Sequence, residues 1–201
     1  DTSTFSAAFK AQLQSLAVGE SLSDTFTYAI RLGNGTLSWA TATVKLAGAN
    51  DVVSITSGPQ SGTVTEDANT TPSLTDSLTA TGTISFTDAD LSDTHTATFA
   101  PSPANTTALG AFSLAAVSEL VNAANGSVGW TYNINNAAAQ YLAAGQTVTE
   151  VYTVTVNDGH GSTTTQNVSI TITGTEDAPT ITSAVATGAV TEDTLPTTAV
   201  G

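Results

Sequence analysis

The chain contains its own near-copy, and that internal repeat limits what it can fold into. The stretch from Leu16 to Thr56 recurs without a gap from Leu142 to Thr182, 126 places on. Leu16, Gly19, Thr27, Gly33, Gly35, Gly48, Asp51, Ile55 and Thr56 return as Leu142, Gly145, Thr153, Gly159, Gly161, Gly174, Asp177, Ile181 and Thr182. Apolar positions match where identity fails: Phe26 with Tyr152, Ile30 with Val156, Val44 with Ile170, and Leu46 with Ile172. Beyond these, Gly62, Val64, Thr65, Glu66 and Asp67 recur as Gly188, Val190, Thr191, Glu192 and Asp193. A fixed period that keeps its turn glycines is the mark of a tandem array. The chain divides into the C-terminal half of one unit (1–56), a complete unit (57–182) and the start of a third (183–201). It reads as a slice of a longer protein.

Within the repeat the side chains alternate. Tyr152, Val154 and Val156 share one face, with threonines opposite. Val168, Ile170 and Ile172 do the same, as do Val128, Trp130, Tyr132 and Ile134, and Ala80, Gly82, Ile84 and Phe86. Period two predicts strands with one face buried. Threonine and valine fit such a surface. Strands are expected near 62–66, 79–87, 94–100, 111–117, 126–134, 147–157 and 163–173. Seven strands with turns between them predict an antiparallel β-sandwich of immunoglobulin-like type. Its interior should hold Ile84, Phe86, Phe99, Trp130, Tyr132, Tyr152, Val154, Ile170 and Ile172. One short helix interrupts the unit, with Asn136 as N-cap, an alanine-rich turn to Ala144 and Gly145 after it. Ser6 and the run to Ala17 are its counterpart in the first half-unit. The segment 113–124 fits a helix as well as a strand. For the two ends, which lack their units' other strands, three arrangements are open: packing on the complete unit, mutual association, or mobility.

Charge narrows the function. Three basic residues against 17 acidic ones give −14, which argues against nucleic acid and against an anionic membrane surface. It favours cations. Cysteine is absent, so no disulfide or thiolate metal site exists, and no apolar run reaches the length of a membrane span. Histidines lack a nucleophile at catalytic spacing. His95 shares a face with Ala97 and Phe99, as a core-edge residue would, and His160 sits in a Gly-His-Gly turn. No cleft of aromatics surrounds the pair Asp88 and Asp90, as a glycosidase would need. The chain is therefore not expected to be an enzyme.

The acids gather at Glu66–Asp67, at Asp88, Asp90 and Asp93, at Asp158, and at Glu176–Asp177. Sandwich loops collect at two poles. The strand ending at Thr87 and the strand ending at Asn157 carry Asp88, Asp90 and Asp158 to one pole if they run parallel in space. Carboxylates held together repel unless a cation lies between them, and Ca²⁺ takes six to eight oxygens with loose geometry. The Asp88 run is not an EF-hand loop: its sixth residue is Asp93 rather than glycine, and its twelfth is Phe99 rather than glutamate.

At these residues the chain resembles a known family. The stretches TVTED, ISFTDADLSDTH, GSVGWTYNINNAAAQYLAAGQTVTEVYTVTVNDGHG and VSITITGTEDAP resemble the VCBS repeat of large bacterial surface adhesins, many with RTX-type tails. More distantly the unit is similar to the cadherin domain, in which acids of this kind hold Ca²⁺ at the junctions between units. The resemblance implies a cadherin-like sandwich repeat, secreted to the bacterial cell surface, that serves cell adhesion or biofilm formation as a Ca²⁺-stiffened spacer. It implies metal ligands at Glu66, Asp88, Asp90, Asp158, Glu176 and Asp177, with Asn50 and Asp51 at the earlier junction. Its partners are then neighbouring repeats of the same chain and surface polysaccharide, with no nucleic acid and no membrane insertion. The first half-unit departs from the pattern, with Arg31 and Leu32 where Asn157 and Asp158 stand later.

A second reading is a carbohydrate-binding module that recognises exopolysaccharide directly. Trp130 shares the parity of Val128 and Tyr132 and belongs to the core. Trp39 has the opposite parity to Ala42, Val44 and Leu46, and its counterpart is Thr165. Exposed, it can stack on a sugar; the alternatives are a neighbouring loop over it or its place in a truncated half-unit.

Overall fold

The computed structural model describes residues 6–69, 72, 77–185 and 187–188. The first half-unit forms helix α1 (Ala7–Gln14) and strands β1 (Ser21–Arg31) and β2 (Leu37–Ala47). Ser6 caps α1 by accepting from the Phe9 N–H at 3.2 Å. β1 and β2 pair antiparallel along their whole length, from Ser21 against Ala47 to Arg31 against Leu37.

The complete unit follows as β3 (Ser54–Ile55), β4 (Gln60–Thr65), β5 (Thr79–Thr87), β6 (Thr96–Pro101), β7 (Gly110–Leu114), β8 (Ser118–Glu119), β9 (Asn125–Ile134), α2 (Asn136–Ala139), β10 (Thr147–Asn157) and β11 (Thr163–Thr173). One sheet has the order β4-β11-β10-β6; the other has β3-β5-β9-β7, with β8 also on β9. β4 runs parallel to β11, and the other pairs are antiparallel. This strand order is that of an immunoglobulin-like sandwich, with the opening strand shared between the two sheets. The seven expected strands are present, joined by the two-residue pieces β3 and β8. The segment 113–124 holds the end of β7 and all of β8, both paired with β9, and then turns at 121–124.

Alternation drives the packing. Glu150, Tyr152, Val154 and Val156 of β10 point inward, against Ile84, Val128, Trp130 and Tyr132 of the facing sheet. Gly82 lies directly across from Trp130, and Gly126 across from Phe86. A Cβ at either glycine would collide with the facing ring, so the missing side chains make room for the two aromatics.

Three local expectations are corrected. Phe99 is 42 % exposed, because β6 is the last strand of its sheet and leaves one side of the ring open. That ring still meets Phe112 and Tyr152 at 5.1 and 6.3 Å. The N-cap of α2 is Asn135, not Asn136, whose side chain instead accepts from the Asp67 N–H at 2.8 Å and donates to the Asn69 carbonyl at 2.9 Å. Both helices are also shorter than their alanine runs.

The hairpin β1–β2 keeps its apolar face open. Phe26 is 53 % exposed, whereas its repeat counterpart Tyr152 is 6 % exposed beneath the second sheet. The opening strand expected over 183–201 lies for the most part outside the described residues. Among the described residues no helix is long and apolar enough to cross a membrane.

Candidate metal centre

Three elements meet at one pole of the sandwich. β3 pairs Ser54 with Thr87 at the end of β5, which sets the linker 48–53 beside the turn that starts at Asp88. β6 pairs Thr96 with Asn157, which brings Asp93 beside the β10–β11 turn. The linker is fixed from upstream at Gly48, where a Cβ would overlap the Leu16 and Ala17 carbonyl oxygens; Gly174 repeats this against Leu142 and Ala143.

The linker is tied to both acidic turns. Asn50 Nδ2 donates to Asp158 Oδ2 at 3.0 Å, and the Asp51 N–H donates to Asp90 Oδ2 at 2.7 Å. The Val53 N–H donates to Ser162 Oγ at 3.2 Å. Asp158 Oδ1 accepts the N–H groups of His160 and Ser162 at 2.8 and 3.0 Å. Gly159 and Gly161 hold positive φ of 80° and 111°, which folds the turn back on that carboxylate. Asp88 Oδ1 accepts the Asp90 N–H at 3.0 Å. One oxygen from each of Asp88, Asp93 and Asp158 lies within 4.8 Å of the other two.

The acids are buried as well as close. Asp88 and Asp90 are 2 % exposed and Asp158 is 1 % exposed. Burial raises Asp90, and the charges of Asp93, Asp51 and Asp88 push the same way against the Asp51 N–H bond. Asp158 behaves oppositely. Burial works to raise it, but bonds from the Asn50 side chain and the His160, Ser162 and Gly161 N–H groups outweigh that, and its carboxyl sits below the usual range.

Two histidines pair with these acids. His95 places Nε2 at 3.2 Å from Asp88 Oδ2 and Nδ1 at 2.8 Å from Glu119 Oε2. His160 Nδ1 lies 3.0 Å from Asp93 Oδ2, and this bond raises the imidazole pKa.

Three oxygens at this pole remain unmatched: Asn50 Oδ1, Asp90 Oδ1 and Asp93 Oδ1 are buried without a hydrogen-bond partner. Buried acceptors are nearly always partnered. Here the linker and the Asp88–Asp93 turn each leave one or more open. All three unmatched atoms are acceptor oxygens, which suit a hard cation, and the residues present therefore fit Ca²⁺.

Of the residues singled out from the sequence, Asn50, Asp51, Asp88, Asp90 and Asp158 come together here. Asp51 contributes its backbone N–H to the hydrogen bonding. Asp93 joins them, although its spacing alone assigned it no role. Glu66 and Asp177 sit at the opposite pole. Glu66 is fully buried, with Oε1 accepting the Thr175 N–H at 3.0 Å; burial raises its pKa. Asp177 Oδ1 accepts the Asn69 N–H at 2.5 Å. Glu176 is exposed. Thr175 Oγ1 is a buried oxygen without a partner at this second pole.

A further buried acid was missed. Glu150 is fully enclosed and accepts from Tyr132 and Tyr152 hydroxyls at 3.0 and 2.8 Å, Thr107 Oγ1 at 2.9 Å and the Leu109 N–H at 2.6 Å. It ties β9, β10 and the connection between β6 and β7. Burial and the Glu150 carboxylate raise both phenols.

No protein-family model matches the chain, and no curated protein matches it. Among solved structures, mouse clustered PcdhgC3 EC1-3 aligns with 81 % of this chain at 14 % identity and a TM-score of 0.43. The chain spans 45 % of that structure's length. The ASH/PapD-like domain of human CEP192 aligns with 63 % of this chain and 87 % of its own, at 11 % identity and a TM-score of 0.37. The sandwich itself rests on the strand order and register given above.

Proposed function

We propose that this chain is a structural repeat of an extracellular surface adhesin, and that Ca²⁺ at the linker pole stiffens the joint between successive units. The observation that carries this reading is the convergence of Asn50, Asp51, Asp88, Asp90, Asp93 and Asp158 around three buried, unmatched oxygens. Without a cation the carboxylates repel and only two hydrogen bonds join Asn50 and Asp51 to the acidic turns. A cation shared between Asn50 Oδ1 and the turn carboxylates couples the linker to the sandwich. Asn50, Asp88, Asp90, Asp93 and Asp158 would hold it. Glu66, Glu176 and Asp177 are the corresponding set for the next junction.

Such a unit acts by length and stiffness. Repeats of this kind hold a distant adhesive domain away from the cell, in a bacterial surface layer or biofilm, with neighbouring repeats as the direct partners. Extracellular modules bind Ca²⁺ at about 10⁻⁴–10⁻³ M, which matches a site built from few ligands and exposed to a calcium-rich exterior.

Small-angle scattering tests the stiffening. In millimolar Ca²⁺ the distance distribution between the β1–β2 hairpin and the sandwich should narrow, and chelation should broaden it. Identical profiles in Ca²⁺, in Mg²⁺ at matched ionic strength and in chelator would contradict the reading.

A further inference from the structure

The repeat supplies an internal control for every outward position of the two long hairpins. On β10–β11 those positions near the turn are Thr155, Asn157, Thr163 and Thr165. On β1–β2 the same four are Ala29, Arg31, Leu37 and Trp39. Ala29 faces Trp39 and Arg31 faces Leu37 in the ladder, so the four form one contiguous patch on one face. Trp39 is 67 % exposed and Leu37 52 % exposed, and the alanine opposite the indole leaves its ring uncovered by a neighbour in the ladder.

The charge of the patch is also local. Arg31 is one of only three basic residues in a chain of −14, and it stands at the turn end, while Lys45 pairs with Ser23 at the far end of the hairpin. The hairpin's acids are at the other end. At about 3.3 Å per residue, Asp24 lies about 23 Å along the strand from Arg31, more than two Debye lengths at physiological salt. A flat indole beside a guanidinium fits a ligand with an apolar ring face and a carboxylate, since pyranose rings stack on tryptophan and arginine takes carboxylates bidentately.

We infer that the turn end of the β1–β2 hairpin binds an acidic glycan, with Trp39 stacked on a uronic acid ring and Arg31 paired to its carboxylate. The site is separate from the cation pole, and its ligand does not require Ca²⁺. The second hairpin, with threonine and asparagine in these places, does not carry it.

Titration of the whole chain with trigalacturonate in EDTA tests the assignment, with the Trp39 fluorescence and the hairpin NMR signals as readouts. Saturable binding is expected. Trp39→Thr and Arg31→Asn, which install the second hairpin's own residues, should each weaken it about tenfold or more. Neutral maltotriose should bind at least about tenfold more weakly than trigalacturonate. Equal binding of the two trisaccharides, full binding by either variant, equal binding of an acidic peptide with the sequence Gly-Thr-Glu-Asp-Ala-Pro-Thr, or binding only after Ca²⁺ is restored would each overturn it.

Discussion

Replacing Glu150 with alanine is expected to destabilise the sandwich by about 4 kcal/mol. The substitution removes one acceptor from the Tyr132 and Tyr152 hydroxyls and the Leu109 N–H, all in buried residues. A buried donor left without a partner costs about 1–3 kcal/mol, and the three lie too deep for water to replace the carboxylate in full. Relief from burying the charge offsets part of that sum. Set against a typical total of about 5–15 kcal/mol, the change would leave the variant close to unfolding at room temperature. Urea denaturation followed by tryptophan fluorescence measures it. A fall in midpoint with an unchanged slope is expected, and Glu150→Gln, which keeps one acceptor oxygen, should fall between. A loss below about 1 kcal/mol would mean that the four bonds contribute little net stability.

Glu150 also shows where the sequence could be read further. Its parity on β10 is that of Tyr152, Val154 and Val156, and its repeat counterpart Asp24 has the parity of Phe26, Tyr28 and Ile30. An acid of inward parity in both copies marks the place where the complete sandwich buries a satisfied carboxylate at Glu150, while Asp24 stays exposed on the open hairpin. Turns place most of the chain's acids at the poles, and an acid inside a strand departs from that pattern. The strands themselves were legible because alternation and turn glycines are local. Phe99 was not, since nothing in its own strand reveals that β6 stands at a sheet edge.

The cation pole was legible in part for the same reason. Strand direction alone carries Asp88, Asp90 and Asp158 to one end, and the repeat marks Asn50 and Asp51 as linker residues. Asp93 was not assignable, because its place depends on how the turn from Asp90 to His95 closes, and that is set by the Asp90 carbonyl accepting the Asp93 N–H at 3.1 Å. His95 was placed at the core edge by its parity, and it stands there, beside Phe86 at 4.7 Å. Its two carboxylate partners come from the turn after β5 and from β8, and leave no mark in spacing.

Asp90→Asn should act in opposite directions with and without metal. Burial and three neighbouring aspartates raise the Asp90 pKa, so at neutral pH the ionised group is a cost to the folded state. That cost is present above the raised pKa and fades as pH falls toward the ordinary aspartate range. The amide keeps an oxygen for the Asp51 N–H. In chelator at pH 7 the variant should therefore melt higher than the parent, and the difference should shrink on acidification. In Ca²⁺ the order reverses. Metal that binds only the folded form adds about 2.7 kcal/mol at a hundredfold excess over Kd, or about 5–10 °C in Tm for a protein of this size. The parent should gain that shift and Asp90→Asn should lose most of it. Glu176→Ala, altered at an exposed residue of the other pole, should keep it. A variant that melts lower than the parent in chelator would mark Asp90 as a structural acid instead.

The most direct measurement is calorimetric titration of the whole chain with Ca²⁺. Saturable binding at the linker pole is expected, strongly weakened by Asp90→Asn and by Asp158→Asn, and not reproduced by Mg²⁺ at the same ionic strength. Heats indistinguishable from dilution, or binding that both variants retain in full, would contradict it.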